Sequence, residues 1–168
     1  MIGRLVEEVQ EWNTPVVGAY LLWQFTNGFI QSHVNGDAPI VIYHFIASGI
    51  MAEPSICDAI SGRRPNLASF IRWFNEEKKS DLLVCINQQI IKNRHYTMKS
   101  IDIAVSSGLL AWDVETAKIY PITISHAKKG TSKMGVTVQK LGEKAKILGK
   151  WFSEDDLPTV AAYLGVIL

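Results

Sequence analysis

Charged residues and cysteines are both scarce in this 168-residue chain. Charged residues make up 20% of the sequence against 48% hydrophobic residues, and the formal net charge is +1 at pH 7. This composition excludes a disordered or strongly polyionic chain and predicts one soluble domain with a sizeable core. The apolar content fits either a monomer with a well-filled core or a subunit that buries part of its surface against a partner.

The two cysteines, Cys57 and Cys85, are far apart in sequence and match no metal-binding or redox spacing. They indicate buried thiols in a reducing compartment. The first residues include Glu7, Glu8 and Glu11 and lack the apolar region of a signal peptide. Polar residues interrupt the uncharged run 12–36, and the run 38–52 is shorter than the ~20 residues that a span needs. We therefore expect a cytoplasmic protein without a membrane segment.

Motifs of catalysis are also missing. The segment 130–135 has two glycines at the spacing of a phosphate-binding loop, but Val136 and Thr137 stand where that loop needs Lys and Ser or Thr. His33 and His44 lie on apolar stretches at a spacing that matches no metal motif, which is typical of core histidines. No nucleophile motif surrounds a serine or cysteine. The sequence therefore predicts no catalytic residue, no metal and no cofactor.

A stretch without any Asp, Glu, Lys or Arg runs from Trp12 to Val34. Thr14 can cap a helix here, and Pro15 then occupies the first helical position, where its missing N–H costs nothing. The predicted helix is apolar on most of its sides, so it should be buried on most of them. We expect it to be the central helix on which the others pack.

The boundaries of the next helices follow from capping residues. Asp37 is expected to cap a second, largely buried helix that ends at Glu53-Pro54, with one or two helical turns over 55–61. Asn66 is expected to cap a further helix that ends at the charged run 76–79. Together these elements form the helical first half of the chain.

In the second half, a pattern of helix, turn, helix and β-hairpin predicts a winged-helix-like unit. Its first helix contains Leu82, Leu83, Ile86, Ile90 and Ile91 at helical spacing. Residues 93–96 are expected to form the turn, Thr97 to cap the second helix, and Gly108 to end it. The strands are expected at 109–112 and 118–122.

Two more helices complete the prediction. The first covers 136–152, and the last is expected to be capped by Ser153, with Asp156 completing a capping box and Gly165 ending the helix. The apolar tail 166–168 should dock on the fold. The predicted fold class is mainly α: a compact helical domain over residues 1–168 with a small β-hairpin and a winged-helix-like second half. The alternative to a single domain is a division into two subdomains, residues 1–79 and residues 80–168.

One region is rich in lysine, with Glu143 as its single acid. A basic loop is expected at 125–135, and it continues into the helix 136–152. The candidate contact residues are Lys128, Lys129, Lys133, Lys140, Lys144, Lys146 and Lys150. Both a solvated surface and a contact surface for DNA or an acidic partner remain open. The second helix of the winged-helix-like unit carries only Lys99 and Asp102 as charges, so that unit is better suited to protein than to base readout.

Several short blocks, in this order, resemble those of a known family. They are Asn13-Thr14-Pro15 with Asn27-Gly28-Phe29, Arg63-Arg64-Pro65-Asn66-Leu67 with Phe70-Ile71-Arg72-Trp73-Phe74, Ser107-Gly108-Leu109-Leu110, Lys140-Leu141-Gly142-Glu143-Lys144-Ala145, Leu148-Gly149-Lys150-Trp151-Phe152 and Tyr163-Leu164-Gly165-Val166. In nearly its whole length the chain is similar to the small middle component of bacterial three-component ABC-ATPase systems, the Lamassu-type defence operons.

This resemblance implies a non-catalytic adaptor subunit of an antiviral or anti-plasmid complex. Its partners would be an SMC-like (Rad50-like) ABC ATPase subunit and an effector subunit, often a nuclease, and DNA would be reached through the complex. The alternative from the residues alone is a stand-alone winged-helix DNA-binding regulator that uses the basic loop and helix. A small enzyme of unknown type is a third possibility.

Overall fold

The computed structural model describes residues 14–122 and 135–168. In these ranges the chain forms eight helices and one two-stranded antiparallel sheet. The elements are α1 (Pro15–Ser32), α2 (Val41–Met51), α3 (Pro54–Asp58), α4 (Leu67–Glu76), α5 (Ser80–Lys92), α6 (Arg94–Ser106), β1 (Leu110–Asp113), β2 (Lys118–Pro121), α7 (Val136–Ser153) and α8 (Leu157–Leu164). The prediction of a mainly α fold with a small β-hairpin is confirmed.

Helix α1 is the central element, as its apolar sequence predicts. The Val17 N–H donates to Thr14 Oγ1 at 3.4 Å, and Pro15 lies in the first turn. The helix packs most extensively on α7 and α6 and also contacts α2 and β2. Although α1 carries no charged residue, no helix of the described ranges is both long and apolar enough to cross a membrane.

The contact between α1 and α7 is backbone against backbone. A Cβ placed on Gly28 of α1 would overlap the carbonyl oxygen of Lys146, and one placed on Gly149 of α7 would overlap the carbonyl oxygen of Phe25. Each helix therefore uses a glycine at the point where the other comes closest. These two glycines allow the axes to approach more closely than side chains would permit.

The core has two parts that meet along α1. In the larger part, the rings of Phe25 and Phe152 pack edge to face with centroids 5.5 Å apart, and Phe70 packs on Trp151 at 5.1 Å. The smaller part lies beneath the hairpin and consists of Ala19, Leu22, Ile101, Ala104, Leu110 and Ile119. Because α1 contributes to both parts, the packing of one is coupled to the packing of the other.

The hairpin is braced by the connection between α1 and α2. The Ile119 N–H donates to the Pro39 carbonyl at 2.9 Å, and the Val41 N–H donates to the Ala117 carbonyl at 2.8 Å. The sequence predicted that Asp37 caps α2, and this prediction is wrong. The Asp37 carboxylate lies 3.3 Å from Lys118 Nζ instead. Helix α2 begins only at Val41, because the residues before it pair with β2. The predicted order of two helices followed by a β-hairpin in the second half of the chain is confirmed. The winged-helix classification of this unit stays a prediction.

Two further capping predictions are wrong. Helices α5 and α6 meet at Asn93 without the expected turn over 93–96, and Thr97 lies inside α6. The Thr97 hydroxyl is buried 2.8 Å from Ser48 Oγ and 3.0 Å from the Asn93 carbonyl oxygen. A tertiary contact with α2 therefore uses the group that the local pattern assigned to a cap.

The second error concerns α8. Ser153 is the last residue of α7, and its hydroxyl donates back to the Lys150 carbonyl at 2.6 Å. Asp156 is the residue that caps α8, because its Oδ1 accepts from the Thr159 N–H at 2.9 Å. The predicted stop at Gly165 is confirmed: this residue has a φ of 64° in the left-handed region.

Candidate partner-binding surfaces

The structure divides the seven lysines of the basic region. Lys128, Lys129 and Lys133 lie outside the described residues, and the other four lie on α7. Lys144 is engaged within the fold: its Nζ donates to the Cys57 carbonyl at 2.8 Å and lies 3.7 Å from Asp58 Oδ1. This side chain ties α7 to α3 and is not free to contact a polyanion.

Lys140, Lys146 and Lys150 are exposed. Within residues 14–122 and 135–168, the ion pairs are Lys118–Asp37 and Lys144–Asp58, so none of these three lysines is in an ion pair there. Lys146 and Lys150 are one turn apart and line a shallow groove between α1 and α7. The groove, named here the α1–α7 groove, is formed by Gly28, Ser32, Glu143, Lys146, Ile147 and Lys150. Lys140 does not line it.

The most exposed apolar side chains of α5 lie beside the C-terminal tail. Asn87 lies on the same face of α5 as Val84 and Ile91. Its Nδ2 donates to the Gly165 carbonyl at 2.8 Å, and its Oδ1 accepts from the Ile167 N–H at 3.2 Å. The tail docks as expected, through these two backbone contacts and through the Val166 side chain, which packs against the larger core. The resulting surface, named here the α5–tail patch, consists of Val84 (75% exposed), Ile91 (67%), Ile167 (87%) and Leu168 (63%).

This patch was not predicted from the sequence. Helical spacing placed Ile91 with Leu83 and Ile86 on an inward face, but only Leu83 and Ile86 are buried. The available signal was Val84, an apolar residue out of phase with that face. The tail contact depends on Asn87, and no local pattern connects Asn87 with residue 167.

The exposed face of α6 supports no base readout. Lys99 and Asp102 are exposed there with opposite charges, and Met98 and Val105 are partly exposed between them. Arg94 adds one cation at the start of the helix. A helix that reads the major groove needs several side chains able to pair with base edges, and this face offers few.

A cavity of about 280 Å³ lies among α1, α2, α3, α6 and α7. Its hydroxyl groups are engaged internally: Tyr96 donates to the Thr14 carbonyl at 3.0 Å, and Ser100 donates to the Tyr96 carbonyl at 2.8 Å. The rest of the lining is mostly apolar, including Leu21, Leu22, Phe25, Ala47, Met51, Leu141 and Ala145. Such walls favour an apolar group. Asp58 also lines the cavity, and its carboxylate lies 3.7 Å from Lys144 Nζ.

Cys57 lines this cavity and is expected to be poorly reactive. Burial raises the pKa of its thiol to about 11, so very little thiolate is present at neutral pH. We expect alkylation of native protein by iodoacetamide to be at least ~10-fold slower at Cys57 than at half-buried Cys85. Mass spectrometry of tryptic peptides measures both rates, and unfolding in urea should make them equal. Equal rates in the native protein would contradict the buried position of Cys57.

The histidines of the apolar stretches have structural partners. His44 is wholly buried, and its Nε2 lies 2.8 Å from Thr26 Oγ1. His33 Nδ1 accepts from the backbone N–H groups of Asn35 and Asp37. Across 14–122 and 135–168, no three His, Cys, Asp or Glu side chains come together as a metal site would require.

Residues 3–168 match the family model described as ABC-three component (ABC-3C) system Middle Component 3. No curated protein and no solved structure matches the chain. Because the match covers nearly the whole chain, this protein belongs to the Middle Component 3 family of ABC-three component systems.

Proposed function

We propose that this chain is a non-catalytic adaptor that holds an SMC-like (Rad50-like) ABC ATPase and an effector nuclease in one complex. The complex would act against phages or plasmids in bacteria, as in the Lamassu-type systems that the sequence resembles. Membership of a three-component family supports the existence of partner proteins. The missing catalytic motifs support a role in assembly rather than in chemistry.

The α5–tail patch is the observation that carries this proposal. Single exposed apolar residues are ordinary on a soluble protein, but a group of them indicates an interaction surface. Both ends of the Asn87 amide are used to hold the tail beside α5. The fold thus fixes apolar side chains in place on its surface, where burial by a partner would contribute about 25 cal/mol per Å².

In this mechanism the adaptor positions its partners and performs no reaction. ATP hydrolysis and DNA sensing would belong to the ATPase, and DNA cleavage would belong to the effector. The adaptor would hold the effector docked and inactive until the ATPase engages DNA. This role needs two separate docking surfaces, one for each partner.

The decisive experiment is co-expression with the ATPase and effector genes encoded beside this one. A tag on this chain allows the complex to be purified, and native mass spectrometry gives its composition. We expect a stable species that contains the ATPase. If both partners are expressed but the chain elutes alone, the adaptor proposal is wrong. The stand-alone DNA-binding regulator, which the exposed Lys140, Lys146 and Lys150 favour, would then be the leading hypothesis.

A lysine in the α5–tail patch should break one of the partner contacts. Val84→Lys is expected to reduce co-purification of one partner subunit by at least ~10-fold, because a charge would have to be desolvated in an apolar interface. Val114→Lys is the matched control, since Val114 is 79% exposed in the hairpin turn. The thermal unfolding of both variants should match that of the wild type. Retention of both partners by Val84→Lys would show that the patch is not an interface.

A further inference from the structure

We propose that the α1–α7 groove binds an acidic amphipathic segment of a partner protein. Carboxylates of that segment would pair with Lys146 and Lys150, and its apolar side chains would contact Ile147. The inference rests on the proposed function and supplies the second docking surface that an adaptor needs. The groove lies along α7, whereas the first surface is formed by α5 and the tail.

The shape of the groove follows from the close contact of its two helices. Gly28 has no side chain, because a Cβ there would overlap the Lys146 carbonyl oxygen. Gly28 is itself buried in this contact, so the accessible α1 side of the groove is formed by exposed Ser32 at the end of the helix. Half-buried Ile147 supplies an apolar contact on the α7 side.

Lys146 and Lys150 form no ion pair with any residue of the described ranges. Lys146 and Lys150 lie at positions i and i+4 of one helix, where two like charges repel each other. Glu143 lines the groove and Glu154 lies close enough to Lys150 to feel its charge, but neither is among the ion pairs of the described ranges. A carboxylate placed between the two lysines would relieve their repulsion and form two charge-assisted hydrogen bonds.

The groove favours an acidic protein segment over a nucleic acid. A phosphate backbone has no apolar side chain to place against Ile147. An amphipathic segment has both kinds of side chain at the required spacing.

The test uses the complex purified from co-expression with the adjacent ATPase and effector genes. A zero-length carbodiimide reagent is applied to the wild-type complex, and mass spectrometry identifies the lysine–carboxylate links. We expect Lys146 or Lys150 to be linked to Asp or Glu of one partner subunit. In addition, Lys146→Glu with Lys150→Glu should reduce co-purification of that subunit at least ~10-fold while the other subunit stays bound.

The control double variant is Lys99→Glu with Lys140→Glu, which changes net charge equally but leaves the groove intact. It should retain both partners, and both double variants should unfold at the temperature of the wild type. A complex that shows no link to either groove lysine, or that survives the groove variant intact, overturns this inference and leaves the adaptor proposal standing. If the wild-type chain elutes alone, both proposals fall. Loss of salt-sensitive binding to a 20-base-pair duplex, with both subunits retained, would assign the groove to DNA instead.

Discussion

Replacing Gly149 with alanine is expected to destabilise the protein by about 1–3 kcal/mol, although alanine is the better helix former. In an exposed helix the exchange would gain up to about 1 kcal/mol. Here the new methyl group would overlap the Phe25 carbonyl oxygen and lie 2.7 Å from the Phe29 backbone nitrogen. Both are backbone atoms, so no rotation of a side chain can relieve the overlap.

The helices α1 and α7 must therefore move apart in this variant. That movement would loosen the edge-to-face contact between Phe25 and Phe152 and the rest of the larger core. Overpacking of this kind typically costs 1–3 kcal/mol and sometimes more, which exceeds the gain in helix propensity. For a chain of this length the loss corresponds to a fall of roughly 3–10 °C in Tm.

Thermal and urea unfolding, followed by circular dichroism, measure this change. Gly28→Ala should behave similarly, because it meets the same contact from the other helix. Gly62→Ala is the matched control: its Cβ would lie 3.7 Å from Ile147 Cδ1, an ordinary van der Waals distance, so its stability should change by less than about 0.5 kcal/mol. If Gly149→Ala were as stable as the wild type, the backbone contact between α1 and α7 would be wrong.

The predictable part of this fold depends on local chemistry. Thr14 with Pro15, Asn66, Gly108 and Gly165 begin or end helices because a hydroxyl, an amide or a left-handed backbone satisfies groups a few residues away. Such signals act within one turn of the chain and can be read without knowledge of the fold. The β-hairpin was predictable for the same reason.

The errors arise where a distant residue competes for the same group. Thr97 and Asp37 have the chemistry of caps, but Ser48 and Lys118 use their polar atoms instead. The close contacts of Gly28 with Lys146 and of Gly149 with Phe25 join residues far apart in sequence, so no periodicity within either helix reveals them. Propensity cannot decide such cases, because tertiary contacts are worth as much as a cap.

The candidate surfaces show the same division. The lysines of α7 were visible as a charge cluster, but only the fold shows that Lys144 is used against Asp58 while Lys146 and Lys150 share a groove. The α5–tail patch was not predictable, since Asn87 brings residue 167 to α5 across 80 positions. A single sequence therefore gives the composition of an interaction surface more readily than its geometry.

His44 should make the stability of the protein strongly dependent on pH. Its ring is wholly buried beside Phe25, with centroids 5.2 Å apart, and burial lowers the pKa of His44 from 6.5 to about 4. The Thr26 hydroxyl donates to the Leu22 carbonyl, so the neutral ring donates from Nε2 to Thr26. A charged ring would remain in an apolar site, where its desolvation is costly.

The sign of the effect follows from the two pKa values. The unfolded chain binds a proton at His44 below about pH 6.5, whereas the folded protein does so only near pH 4. The stability that depends on a neutral His44 ring is therefore fully present above pH 6.5 and is lost as the pH falls toward 4. Below pH 4 this loss levels off. Linkage gives a loss of about 2 kcal/mol by pH 5 and about 3 kcal/mol by pH 4.

His44→Phe should abolish this dependence while it keeps the aromatic contact with Phe25. At pH 7.5 the variant should be less stable by about 1 kcal/mol, because the hydrogen bond to Thr26 is lost. Near pH 5 the variant should be more stable than the wild type, because only the wild type has a buried ring that stays unprotonated in the folded state. Urea unfolding at pH 7.5, 6.0 and 5.0 tests this crossover, and exposed His95→Gln should follow the wild type. Parallel curves for the wild type and His44→Phe would show that His44 is not held neutral by the fold.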